Sequence, residues 1–209
     1  FLSVGQVPMN EKQTLTVRKR AAIVEAAIDE FLEKGFRTAS MDAIAKRAEV
    51  SKRTVYNHFE SKEALFQAIA HQLIEHRAEM TRIEYQPAVP LADQLLDFAH
   101  KELALLRSDR FLAIARMMLA EFMSSPALAM HAMEKMDQQV EGLQLLIVAA
   151  VKGGQLKPVD PDYAANQFIG LIKANAFWPQ LLSGQAIPDA ELSERIAQDA
   201  VMMFLARYT

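Results

Sequence analysis

The sequence predicts an all-α chain of about nine helices. Three observations predict it. Apolar residues recur three and four positions apart through most of its 209 residues. No run alternates polar and apolar side chains long enough to make a strand. Proline and glycine fall between the periodic stretches, where they would break helices. With 51% hydrophobic and 23% charged residues, the chain is globular rather than disordered.

The elements follow in order. Val24, Ile28, Phe31 and Leu32 share helical spacing, and Gly35 ends that helix. Ser40 is placed to cap a short helix, Met41–Ala48, with Ile44, Ala45 and Ala48 on one face. Glu49, Val50 and Ser51 make a turn, and Ser51 caps a second short helix, Lys52–Phe59. Ser61 caps a longer helix running to about Ile83, striped by Leu65, Phe66, Ile69 and Leu73. The stretch EYQPAVP, 84–90, carries two prolines and marks a junction. The expected domains are therefore 14–83 and 84–209. Beyond the junction, helices are expected near 91–107, 109–123, 126–152, 161–182 and 189–207, set off by Pro126, Gly153, Gly154, Pro158, Pro161, Gly184 and Pro188.

Composition excludes several classes. There is no cysteine, so disulfides, cysteine-ligated zinc and thiol catalysis are out, which fits a reducing compartment. The most apolar run, Leu143–Val151, is far short of the roughly 20 residues of a membrane span. No signal-peptide pattern is seen, and Met9 is a candidate start; the expected place of work is the cytoplasm, with no membrane partner. Net charge is −3, yet residues 1–60 hold ten Lys and Arg against eight Asp and Glu, and residues 61–209 thirteen against eighteen. The basic surplus sits at the front, in VRKR (17–20) and SKR (51–53).

The segment Lys52–Phe59 has few large apolar residues for a helix. At about 100° per residue, Val55 and Phe59 point together toward the inside. Arg53 and Asn57 point out, Tyr56 flanks one side, and Thr54 and His58 flank the other. Two short capped helices, a tight turn and a polar outer face describe a helix-turn-helix. Arg suits guanine O6 and N7, and Asn suits adenine N6 and N7, in the major groove of double-stranded DNA. Ser40, Ser51, Thr54, Tyr56, Lys52 and Lys62 can donate to phosphates, as can the free N–H groups at the capped helix starts.

Residues 17–66 closely resemble the DNA-binding domain of TetR/AcrR-family transcriptional regulators. The matching pieces are IVEAAIDEFLEKGFRTASMDAIAKRAEVS and KRTVYNHFESKEALF. The resemblance implies recognition-helix contacts at Lys52, Arg53, Thr54, Tyr56, Asn57 and His58, and phosphate contacts at Ser40, Ser51 and Lys62. Two departures bear on the operator sequence: Glu49 stands where the family often has glycine, and Arg53 where many members have a small residue. The pieces FLAIARMMLAEFMSSPALA and GGQLKPVDPDYAANQFIGLI, and the closing MMFLARY, resemble the C-terminal domain of the AefR-like subgroup. That implies a helical-bundle domain for ligand binding and dimerisation over 84–209. It also implies a homodimer on an inverted-repeat operator, released by a small-molecule effector, so the function expected is that of a repressor. A constitutive DNA-binding dimer without a ligand is the alternative. The helix from Ser61 would carry a tilt from effector to recognition helix.

Other constellations carry less. His71 and His76 are five apart and do not converge; His71 and Glu75 read as a surface pair. No nucleophile elbow, zinc-protease, P-loop or dinucleotide motif is present, so neither enzyme activity, metal nor cofactor is expected. Met117, Met118, Met123, Met130, Met133 and Met136 crowd two helices. Core packing is the commoner use of such residues; a pliable pocket for an apolar or amphipathic effector is the other. On that second reading Met117, Phe122, Phe168 and Trp178 line it. Phe168, Ile169 and Ile172, with Ile196, Ala200, Met203 and Phe204, give the last helices broad apolar faces, expected to meet a second copy.

Overall fold

A computed structural model of the protein describes residues 11–130 and 142–209. Among them every regular element is a helix: α1 Glu11–Lys34, α2 Met41–Arg47, α3 Lys52–His58, α4 Lys62–Met80, α5 Leu91–Leu106, α6 Asp109–Ser124, α7 Gly142–Lys152, α8 Pro161–Ala176, α9 Trp178–Ser183 and α10 Ala190–Tyr208. Residues 126–130 are also helical. The middle of the expected 126–152 helix, with Met133 and Met136, lies outside the described residues. The chain divides into two units, one up to Ala70 and one from His71 to Thr209, so α4 belongs to both.

In the first unit, serine caps set the helix starts as expected. Ser40 Oγ accepts from Ala43 N, Ser51 Oγ from Thr54 N and Ser61 Oγ from Ala64 N, each at 3.1 Å. Each hydroxyl satisfies one of the orphan amides that open a helix. Ile23, Ala27 and Phe31 of α1, Ile44 of α2, Val55 of α3 and Leu65, Phe66 and Ile69 of α4 then close one core. Phe36, just past α1, packs edge-on between Phe31 and Phe66, with ring centroids 5.2 and 5.0 Å away. Leu32, at the edge of the expected stripe, is 38% exposed. Arg47, in the last turn of α2, reaches back to Glu30 at 3.1 Å and to Glu33, and so ties α2 to α1.

In the second unit, α5, α7, α8 and α10 share a core built on an aromatic series. Phe98 meets Phe168 at 6.1 Å, Phe168 meets Phe204 at 5.3 Å and Phe204 meets Tyr208 at 4.8 Å. Leu73, from the later half of α4, packs on this cluster. The 86–90 turn is held by the side chain of Gln94, whose amide donates to Gln86 O and Val89 O and accepts from Gln86 N.

The expected single helix over 161–182 is instead two. The break falls at Phe177, which leaves helical geometry with φ −136°. Pro179 explains it: a proline lacks the N–H for the Asn175 carbonyl, and its ring would clash there. Much of the apolar face expected to need a second copy is filled within the chain as well: Phe168, Ile172, Ala200 and Phe204 are each no more than 2% exposed.

Candidate nucleic-acid interface and effector region

The α3 helix is sorted as its spacing predicts. Val55 is 0% exposed and Phe59 5%, while Lys52, Arg53, Tyr56 and Asn57 are exposed and Thr54 and His58 half-buried. Phe59 is further pinned by the Arg20 guanidinium of α1, 5.0 Å from its ring centre. With its inner side locked, α3 presents a rigid polar face.

The polar groups on that face are not equally placed. Ser51 Oγ lies 2.8 Å from Thr54 Oγ1, so the two hydroxyls share one bond at the helix start. A serine that caps its helix as acceptor still has its own O–H to donate, and this holds for Ser40. Lys52 Nζ sits 2.7 Å from Asp42 Oδ1 and over the Tyr56 ring, and the Asp42 hydrogen bond raises its pKa. Lys62 is committed inward: its ammonium donates to Arg37 O at 2.9 Å and Ala39 O at 3.1 Å, and lies 4.9 Å from the Phe36 ring centre. That staples the start of α4 to the loop before α2, a role the sequence did not disclose.

The turn between α2 and α3 is a Schellman ending. Val50 N–H donates to Ala45 O and Glu49 N–H to Lys46 O, with Glu49 left-handed at φ +54°. This is the position flagged for lacking glycine.

In the second unit, the four residues nominated for an effector pocket differ in burial. Phe168 is 0% exposed inside the core, Trp178 is 45% exposed and pairs edge-on with Phe177, and Met117 and Phe122 are half-buried on α6. Among the other methionines, Met118 is buried, but Met123 and Met130 are 78% and 64% exposed. A groove of about 630 Å³ opens elsewhere, between the outer faces of α8 and α10, over Gly170, Leu171, Ala174, Leu192 and Met203. None of the four nominated residues lines it. His71 and Glu75 do form a pair, at 3.1 Å. Among the described residues no three His, Asp or Glu gather as metal ligands, and no helix is long and apolar enough to cross a membrane.

A capped helix-turn-helix with a polar outward second helix, joined by a continuous α4 to a helical unit, defines a DNA-binding regulator. Comparison with known proteins then assigns the chain. Residues 23–69 match the model of bacterial regulatory proteins of the tetR family, and residues 93–209 that of the AefR-like transcriptional repressor C-terminal domain. The chain belongs to the TetR family of transcriptional regulators. It is 42% identical to a TetR family regulator from Pseudomonas syringae pv. tomato, whose crystal structure superposes with a TM-score of 0.75 over 91% of this chain and 97% of that one. The Flavonoid-responsive Regulator FrrA is 30% identical, with a TM-score of 0.76 over 92% of this chain and 98% of FrrA. The HTH-type transcriptional regulator YhgD of Bacillus subtilis is 26% identical over 168 residues, 78% of this chain and 85% of YhgD. The chain is a DNA-binding transcriptional regulator, of a family whose members are regulators rather than enzymes, bind DNA and dimerise.

Proposed function

We propose that the chain represses transcription in the cytoplasm as a homodimer, gripping an inverted-repeat operator with two copies of α3. A small apolar or amphipathic effector, bound within residues 84–209, releases it. The observation that carries this is the sorting of α3: Val55 fully buried, Arg53, Tyr56 and Asn57 outward. Arg53 and Asn57 address base edges, while Lys52, Thr54, Tyr56, His58, Ser40 and Ser51 address the backbone or the flanks of the site; Lys62, held by Arg37 O and Ala39 O, supports the interface from within.

For dimerisation, the support is Gly170. It sits inside α8, where glycine costs about 1 kcal/mol relative to alanine. A Cβ there would meet nothing within 4 Å in this chain. Leu192 and Met203 beside it are 46% and 53% exposed. A smooth floor between two exposed apolar walls suits the close approach of a second copy. Gly170→Arg should leave the fold intact and convert the dimer to a monomer in sedimentation; a variant that stays dimeric contradicts this interface.

For the effector, FrrA's name supports a planar aromatic ligand, and Met117, Phe122, Phe177 and Trp178 offer the apolar, polarizable surface such a ligand needs. The test titrates a panel of flavonoids and fatty acids against the protein on a duplex it has itself selected. Release of DNA, with reciprocal weakening of ligand binding by DNA, is expected at a coupling of about 1–3 kcal/mol. Equal ligand affinity with and without DNA would point to a constitutive binder.

A further inference from the structure

Among the described polar and charged residues, Glu102 is the most buried, at 0% exposed. It falls on the apolar stripe of α5, in line with Leu95, Phe98 and Leu106. Its carboxylate meets cations from two other helices. Arg77 Nε of α4 lies 3.4 Å from Oε1 and 3.3 Å from Oε2, and Lys173 Nζ of α8 lies 3.6 Å from Oε1. These are long for charge-assisted contacts, which close to about 2.7–2.9 Å. Oε2 accepts no hydrogen bond.

Stability does not explain such a cluster. Burying ions costs more than loose pairs return, and apolar residues of similar volume commonly do as well or better. What the cluster does is mechanical. It joins the last turn of α4, the later half of α5 and the last turn of α8 at one point. The helix α4 starts inside the helix-turn-helix core, with Leu65 and Phe66 both 0% exposed. The helix α8 carries Gly170 and the proposed dimer face. Lys173 also lies 5.4 Å from the ring centre of Phe177, which meets Trp178 edge-on at 4.9 Å.

We infer that Glu102 is a positioning residue for operator recognition: through Arg77 and Lys173 it fixes α4 against the dimer helix, and thereby fixes the spacing of the two recognition helices. An occupant beside Phe177 and Trp178 reaches α4 through Lys173. This rests on the dimer reading above.

The experiment uses the full chain and a duplex selected by the wild type, rebuilt with its half-sites two base pairs closer or farther apart. Such a change moves the half-sites by about 7 Å and turns them by about 70°. The wild type should prefer its own spacing by about tenfold or more. Glu102→Gln, which keeps shape and removes the charge, should stay dimeric and fold, yet discriminate by about threefold or less. The apolar triple variant Arg77→Met, Glu102→Leu, Lys173→Met restores packing and should show the same loss; a purely structural role predicts that it recovers the wild-type profile. Wild-type discrimination in either folded dimeric variant overturns the inference. So does failure of both variants to fold, because the cluster then supports the fold itself. A wild type indifferent to spacing overturns the dimer reading first.

Discussion

Glu49→Gly should stabilise the protein. Among the described residues Glu49 alone holds a positive φ, +54°, without being glycine; Gly35, Gly154 and Gly184 occupy the comparable places. The α7 helix closes with the same pair of bonds, Gln155 N to Ala150 O and Gly154 N to Val151 O, and there the left-handed residue is Gly154 at +71°. A side chain in that conformation costs about 1–2 kcal/mol. Glycine removes that cost but loses about 0.5–1 kcal/mol through the freedom it gives the unfolded chain. The carboxylate also sits at the negative end of the α2 dipole, and deleting it adds about 0.3 kcal/mol. The net is a gain of about 1 kcal/mol, or about 2–4 °C for a chain of this size. Thermal unfolding followed by circular dichroism reads it, with two controls. Glu49→Asn tolerates the left-handed region and should recover part of the gain. Glu49→Gln removes only the charge and should recover little. Equal gains for Gly and Gln would show that charge, not conformation, sets the cost. A Gly variant less stable than the wild type would refute the conformational reasoning.

Three further outcomes are expected. Lys62→Met should lower stability by about 1–2 kcal/mol, because two carbonyls lose an ammonium donor, and an unchanged melting temperature would show that the staple carries no energy. Glu33 is held down to about 2 from its ordinary 4.5, first by Lys34 and then by Arg47; since the folded value lies below the unfolded one, its contribution is present above about pH 4.5 and fades as pH falls toward 2. Glu33→Gln should therefore flatten the acid limb of melting temperature against pH, and parallel limbs would contradict this. Phe168→Ala should cost about 3–5 kcal/mol in denaturant unfolding, as a core cavity does, whereas a stable variant altered only in effector response would make Phe168 a pocket wall.

The first unit was legible because its signals are local. A serine before each short helix, a three-residue turn, and Val55 and Phe59 four apart fix both the helices and their outward face. The Phe177 break was also written, in Pro179, but the apolar spacing running past it from Phe168 to Leu181 reads as one helix. Glu102 was legible in part: its spacing from Leu95, Phe98 and Leu106 puts a carboxylate on the apolar stripe rather than on a solvated face. Its partners were not, since Arg77 and Lys173 come from helices 25 and 71 residues away in sequence, and periodicity says nothing of which helices meet. The inward turn of Lys62 was hidden for the same reason. A basic residue at a helix start looks the same whether it faces a phosphate or two carbonyls of its own chain. The groove over Gly170 depended on which apolar residues the chain covers itself, a question of packing that no pattern of spacing answers.

The central claim is that α3 reads DNA as one half of a two-fold pair, with Arg53 at a base edge. Selection of sites from a random duplex pool by the wild type and by Arg53→Ala, followed by affinity titration on the winners, tests it most directly. The wild type should enrich an inverted repeat. Arg53→Ala should lose about 1–3 kcal/mol and relax preference at one base pair in each half-site, leaving the other positions as they were. Enrichment of sites without dyad symmetry, or an Arg53→Ala variant with wild-type preference at every position, would contradict it.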